Sequence, residues 1–224
     1  MEILYQDKTL VVCLKPTGVN STDVPGGLPE LLRTELGQPK ADLRTVHRLD
    51  QVVGGVMVLA RNVEAASELS RQVRDGQFQK EYLTVCHFRP AEDEGIMQDI
   101  LWRDPRKRKT KVVKTLGKGA QEAELEYRLL ERQEGLSLIR VRLITGRTHQ
   151  IRAQFSSRGL PLYGDKKYSK WPDDGPIALW SHQLEFIHPG TGEAVTFSAP
   201  PPMIQPWTAF EAVKRMAEPD LPRL

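Results

Sequence analysis

The sequence predicts an α+β fold built largely from antiparallel strands, and three observations carry that prediction. Alternating segments occur as neighbours across short turns, Ala123–Leu130 with Leu136–Leu143 and Leu184–His188 with Ala194–Ser198. Helical periodicity is confined to a few scattered stretches and does not alternate regularly with the strands. No internal repeat or long linker interrupts the 224 residues, so residues 1–224 read as a single domain.

The elements follow in order. Leu10–Leu14 is a short apolar strand stopped by Lys15-Pro16-Thr17-Gly18, because Pro16 disfavours helix at Lys15 and Gly18 permits a turn. Pro29–Leu36 reads as a helix, with Pro29 near its first position and Gly37 just beyond its end. Val56–Ala60 is a strand. Asn62 then caps a helix whose apolar positions are Val63, Ala66, Leu69 and Val73, ended by Gly76. Phe78–Phe88 is a strand on which Lys80 and Tyr82 share a face. The first hairpin turns at Gln133-Glu134-Gly135 and the second around Pro189-Gly190-Thr191-Gly192. Thr148–Ser157 reads as a basic amphipathic helix, with His149 and Arg152 on one face and Ile151 and Phe155 on the other. Thr208 and Glu211 form a capping box for a last helix presenting Phe210, Val213 and Met216.

Composition narrows the function. With 39% hydrophobic and 27% charged residues, the chain falls within ordinary globular usage, which excludes low-complexity and collagen-like classes. No apolar run reaches the ~18 residues of a membrane span, and the N-terminus lacks a signal-peptide pattern, so a cytoplasmic protein without membrane contact is expected. The two cysteines, Cys13 and Cys86, sit in apolar runs and read as inert buried thiols. The net charge of +3 hides two basic segments. Residues 102–118 hold eight Lys or Arg against Asp104, and residues 140–170 hold eight against Asp165. Such segments suit either a solvated surface or a face for a polyanion.

Three constellations carry chemistry. His47-Arg48-Leu49-Asp50 precedes Gly54-Gly55 and a strand. A carboxylate there, kept ionised by a guanidinium, can be nucleophile, base or metal ligand, or simply a surface turn residue. Gly146-Arg147-Thr148-His149-Gln150-Ile151-Arg152 follows a strand and opens a helix. Lys80-Glu81-Tyr82 lies within a strand, where a tyrosine is ordinarily core.

Taken together these segments resemble the RluA family of pseudouridine synthases. Lys-Pro-Thr-Gly at 15–18 is similar to its early turn, HRLD at 47–50 to its catalytic loop and Lys80-Glu81-Tyr82 to its Lys-x-Tyr. GRTHQIR at 146–152 with GLPLYGD at 159–165 is similar to its third motif, and His188-Pro189 fits its closing hairpin. The resemblance implies the pseudouridine synthase fold, a mixed and mostly antiparallel sheet with flanking helices and a cleft across its middle. It implies that Asp50 is the catalytic aspartate, Tyr82 packs on the target base, and Arg152 ion-pairs with the aspartate. It further implies that Arg48 helps hold a flipped-out nucleotide and Ile151 lines the uracil pocket. His47, Lys80 and Arg147 are expected substrate contacts on the same footing. The expected activity is isomerisation of uridines in structured ribosomal or transfer RNA by a monomer needing no cofactor or metal. The small N-terminal RNA-binding domain of many relatives is not expected.

One departure stands out. After HRLD the family reads x-x-Thr-Ser-Gly, whereas here the run is Gln51-Val52-Val53-Gly54-Gly55. Two other function classes remain: a non-catalytic RNA-binding module, and a metal-dependent phosphodiesterase using His47, Asp50, His149 and His182.

Overall fold

The computed structural model describes residues 1–218, which divide into two compact units. One comprises Met1–Glu81 with Trp180–Ala199, and the other Tyr82–Leu179 with the chain from Pro200 onward. The fold class is α+β, as expected, with a mixed sheet that contains antiparallel pairs, such as Leu10–Lys15 with Gly54–Ala60, and a parallel pair, Gly54–Ala60 with Leu179–Ile187. Among the described residues no helix is long and apolar enough to cross a membrane.

In the first unit the centre is β2 (Leu10–Lys15) against β4 (Gly54–Ala60), antiparallel with Leu10 opposite Ala60 and Lys15 opposite Gly55. Every residue of β4 is buried, which explains why it reads as a continuous apolar run without alternation. β1 (Ile3–Gln6) flanks β2. The other edge of β4 is shared. The two-residue β3 (Arg44–Thr45) pairs with its end, and β10 (Leu179–Ile187) runs parallel to its start through Trp180 and Ser181. β11 (Ala194–Ser198) completes a hairpin with β10. α1 (Leu28–Glu35) has a proline in its first turn and α2 (Val63–Arg74) has Asn62 accepting from the Ala65 N–H, both as the sequence requires.

α2 buries Ala65 and Leu69 in a core with Val56, Val58, Leu184 and Phe186. Its third buried position is Gln72, and Val63 is exposed, so the apolar stripe read from sequence is shifted. The Gln72 amide makes two 2.8 Å hydrogen bonds with the backbone of Ile187, donating to its oxygen and accepting from its N–H. It thereby completes the end of β10 as another strand would.

In the second unit, β5 (Gln79–His87) enters at Tyr82 and the strand order continues β9 (Leu136–Leu143), β8 (Ala120–Gln133), β6 (Glu94–Asp104), β7 (Lys109–Val113). Glu134 and Gly135 both have positive φ, the two-residue turn that matches strand twist. α3 (Gln150–Ser157) buries six consecutive residues, Gln150 to Phe155, so it is an enclosed helix and not an amphipathic surface one. α4 (Glu211–Ala217) follows a single 3-10 turn and has no capping box. Glu131 of β8 caps it instead, its carboxylate accepting from the N–H groups of Glu211 and Ala212.

His47 lies in the first unit's interior, 7% exposed and tilted against Phe78 at 5.3 Å. Its Nε2 accepts from the Val58 N–H. Burial, reinforced by the Lys80 charge, pushes the imidazole down to about 3 from its ordinary 6.5. The unfolded chain therefore takes up a proton below pH 6.5 that the fold refuses. This contribution to stability is complete above pH 6.5 and is lost as pH falls toward 3. The difference in unfolding free energy between wild type and His47→Gln should shift against wild type by up to about 1.4 kcal/mol per pH unit across that window. Urea titrations at pH 7 and pH 5 measure it, and a pH-independent difference would refute the neutral buried imidazole.

Candidate functional site

The loop carrying Asp50 is fastened by the turn at 15–19. Lys15 is fully buried, and its Nζ donates to the carbonyls of Pro16 at 2.9 Å, Val19 at 2.7 Å and Gln51 at 3.3 Å. The Gly18 N–H donates to Gln51 O at 2.8 Å while the Gln51 amide donates back to Gly18 O. Ser21 Oγ donates to Leu49 O at 2.8 Å and accepts from the Leu49 N–H. Both neighbours of Asp50 are thus held through their main chain, and Val53 N–H closes the following turn on Asp50 O. Burial lowers the Lys15 ammonium to about 8, opposed by attraction to the Asp50 carboxylate. The ammonium is therefore a positive charge that Asp50 senses at neutral pH. From sequence, Lys15 reads only as part of a turn. Its place in a strand otherwise composed of buried apolar residues is the signal that could have found it.

The glycine at 54, where the family pattern has Ser, has a steric cause. A Cβ on Gly54 would stand 2.6 Å from Trp180 Cζ3, and one on Gly55, at φ +122°, would meet Ser181 O at 2.3 Å. The indole occupies the space that a serine side chain would need. Gly54→Ser should destabilise the chain by about 1–3 kcal/mol through overpacking. In the Trp180→Leu background the same substitution should cost less than half as much. Thermal or urea unfolding of the four variants measures the coupling, and simple additivity would show that Trp180 is not what excludes the side chain.

Of the other residues in this unit, Arg48 is exposed and Asp50 half-buried. Lys80 lies with its Nζ 5.9 Å from the Phe78 ring, and burial lowers its pKa. The buried His47 supports β4, which argues against the expected substrate contact.

In the second unit, Tyr82 and Ile151 are buried at 6% and 4% exposure. Arg152 grips Asp165 with a two-pronged contact, Nε to Oδ2 at 2.8 Å and Nη2 to Oδ1 at 2.7 Å. Both side chains are almost wholly buried. Asp165 Oδ1 also accepts from the N–H groups of Lys167 and Tyr168, which fixes the 165–168 turn around the ion pair. Sequence reasoning does not single out Asp165, although it closes the GLPLYGD run.

Tyr168 carries the arrangement further. Its ring lies 5.1 Å from the Arg152 guanidinium and 4.7 Å from Lys109 Nζ. Its hydroxyl accepts from the Thr110 N–H at 2.7 Å and shares a 2.8 Å hydrogen bond with His149 Nδ1. Thr110 Oγ1 donates to Thr148 O, and Lys167 Nζ to Arg108 O. The basic hairpin β6–β7 is therefore tied to the start of α3 and to the turn holding Arg152. His149 itself precedes the helix in a left-handed conformation, φ 55°, so the helical face it was expected to share with Arg152 does not exist. Arg147 is half-buried, its Nε donating to Glu122 O and its N–H to Gln150 Oε1.

Among the described residues no group of three or more His, Cys, Asp or Glu is arranged to hold a metal ion. Cys13 and Cys86 are fully buried and burial pushes both thiols up to about 12, so neither is a nucleophile near neutral pH.

The sequence pattern of the family described as RNA pseudouridylate synthase matches residues 9–157. The dual-specificity RNA pseudouridine synthase RluA of Escherichia coli K12 is 35% identical over 209 residues, covering 88% of this chain and 92% of that protein. The uncharacterized RNA pseudouridine synthase YlyB of Bacillus subtilis is 34% identical over 213 residues, 90% of this chain and 69% of that protein. Among solved structures, human RNA pseudouridylate synthase domain containing 4 superposes with a TM-score of 0.76 at 26% identity, covering 90% of this chain and 88% of that one.

Proposed function

The chain belongs to the RNA pseudouridylate synthase family and is an isomerase acting on RNA, and we propose that Asp50 is its catalytic carboxylate on uridines of structured ribosomal or transfer RNA. The observation that carries this reading is the fastening of the Asp50 loop. A loop whose flanking residues are locked by Lys15, Gly18 and Ser21 presents its carboxylate at low entropic cost. The reaction breaks the bond from ribose C1′ to uracil N1, rotates the ring, and joins C1′ to C5; C5 then gives up its proton and N1 carries one in the product, so the atoms balance. No electrons are exchanged and no group is consumed, so side chains suffice for the balance. The carboxylate serves either by attacking C1′ or by removing the neighbouring sugar proton.

The other roles follow the family motifs. Tyr82 stacks on the target base and Ile151 bounds the uracil. Arg152, its guanidinium plane set by Asp165, supplies positive charge, and Arg48 supports the extruded nucleotide. Lys80 and Arg147 contribute charge to phosphate binding. On this reading both units act as one catalytic domain, working as a cytoplasmic monomer without a cofactor.

Asp50→Asn should lower tritium release from uracil-5-labelled RNA by at least about a hundredfold while the binding isotherm stays within about twofold, because affinity rests on basic surface and chemistry on one carboxylate. Activity within about tenfold of wild type would remove Asp50 from the mechanism and favour an RNA-binding module.

A second prediction concerns the β6–β7 turn, where Asp104 Oδ1 accepts from the N–H groups of Arg106 and Lys107 and Arg108 has φ 47°. Replacing Arg106, Lys107 and Arg108 with Ser removes three charges and leaves that turn acceptor in place. Affinity should fall equally for target and non-target RNA. The slope of log K against log salt should flatten by roughly 0.7–0.9 for each phosphate that is no longer neutralised. An unchanged slope would make the turn a merely solvated surface.

A further inference from the structure

Outside the residues assigned above, the second unit carries an aromatic stack that ends in solvent. Tyr163, His87 and Trp171 lie nearly parallel, with ring centroids 5.9 Å and 4.8 Å apart and interplanar angles of 20° and 17°. Asp173, itself buried, fixes the central ring through a 2.9 Å contact with His87 Nε2, and its same oxygen accepts from the Gly164 N–H. Trp171 remains 47% exposed. Phe88, 49% exposed, meets the Trp171 ring nearly edge-on at 5.4 Å.

Phe88 is also strained. Its φ of 68° is a left-handed conformation that bulky side chains avoid. The surroundings impose it: the Phe88 N–H donates to Gly135 O at 2.9 Å, and Ser137 Oγ donates to Phe88 O at 2.7 Å. The fold thus tolerates backbone strain to hold a large apolar ring in water beside a second one. The adjoining turn carries three exposed lysines against one exposed acid, Asp174, which makes its surroundings positive; the ammonium groups of Lys166 and Lys167 donate to the carbonyls of Asp173 and Arg108, and Lys170 directly precedes Trp171.

We propose that Trp171, flanked by Phe88, is a stacking platform for an unpaired base of the RNA substrate, distinct from the uridine that is isomerised. The base would add a fourth ring to the Tyr163–His87–Trp171 stack while Lys170 meets its phosphate within the positive field of the anchored Lys166 and Lys167. Single-stranded nucleic acid is bound in this way by aromatic faces with cations alongside. Phe88 lies six residues beyond Tyr82, just past the end of β5, roughly 20 Å away at ~3.3 Å per residue. A base on Trp171 therefore belongs to a different nucleotide from one on Tyr82. The proposal rests on the RNA-modifying reading and extends its footprint toward single-stranded regions flanking the target.

The test uses the full chain carrying Asp50→Asn, so that no turnover intervenes, with a single-stranded RNA of about 20 nucleotides and mixed sequence and a blunt RNA duplex of about 20 base pairs as probes. The single strand should quench tryptophan fluorescence, and Trp171→Leu should remove most of that quench and weaken single-strand binding about tenfold. Duplex binding should change less than about twofold. Trp171→Phe, which keeps a stacking face, should retain most of the affinity. Phe88→Gly relieves the backbone and should leave thermal stability equal or higher while weakening single-strand binding severalfold. Equal losses on both probes, unchanged single-strand affinity in Trp171→Leu, or a Trp171→Phe defect as large as the leucine one would overturn the platform. A change in sedimentation behaviour of Trp171→Leu without a binding defect would overturn it in favour of a protein contact. Absence of tritium release by the chain with Asp50 intact would sink the enzymatic reading instead, and leaves the probe comparison standing.

Discussion

The ion pair between Arg152 and Asp165 is the constraint around which the second unit is arranged. Taking a guanidinium and a carboxylate out of water costs several kcal/mol per ion, and the pair is tolerated only if its hydrogen-bonding capacity is used. Here the two-pronged contact is supplemented by the Lys167 and Tyr168 N–H groups on Asp165 Oδ1. The consequence is geometric. Once Asp165 is committed, the 165–168 turn has one conformation, Tyr168 is delivered beside Arg152, and its hydroxyl is set to receive Thr110 from the basic hairpin. A charge that stability alone would avoid thus becomes the reason that three chain segments share one register.

The first unit solves a similar problem with one buried ion. Three carbonyl oxygens accept the three protons of Lys15, with the Asp50 charge as a longer-range attraction. Three neutral acceptors cannot fully offset desolvation, which is why the ammonium is held near 8. What they supply is position, since Pro16, Val19 and Gln51 come from both sides of the gap between the early turn and the Asp50 loop. The glycine pair at 54–55 completes this. With no side chain at either position, β10 can approach β4 closely enough for Trp180 to fill the space beside the loop.

What the sequence revealed and what it concealed divide along physical lines. Elements governed by local rules were legible: the Asn62 cap, the proline-started α1, the hairpin turned by Glu134-Gly135 and the strand at Leu10. Elements set by distant partners were not. α3 has a sequence that reads as a basic amphipathic surface helix, yet it is enclosed, with Asp165 holding Arg152 and with Met97 O and Asp99 accepting from the Gln154 amide nitrogen. His149 leaves the helix because its Nδ1 is held by Tyr168, well beyond the helix in sequence. α4 takes its cap from Glu131, far earlier in the chain, in preference to the local Thr208–Glu211 pattern. The same division holds for the site. Asp50, Tyr82 and Arg152, the proposed site residues, are singled out by resemblance alone, whereas the contacts of Lys15, Asp165 and Tyr168 emerge only once the fold brings their partners to them.

The basic hairpin joins these two kinds of constraint. β7 ends the strand order of its unit, and an edge strand offers unpaired backbone groups on which other chains can add. Its sequence, Lys-Thr-Lys-Val-Val, places charge where such addition would begin, a common protection for edges. One of those lysines, Lys109, is drawn over the Tyr168 ring, and Thr110 ties the strand to Thr148. Part of the hairpin's charge is therefore anchored and part projects outward from the Pro105–Arg108 turn. A wholly anchored hairpin could not adapt to a folded polyanion, and a wholly free one would give affinity without register. The division between Lys109 and Thr110, held inward, and Arg106 and Lys107, left exposed, gives one short ribbon both projecting charge and a fixed tie to the residues around Arg152.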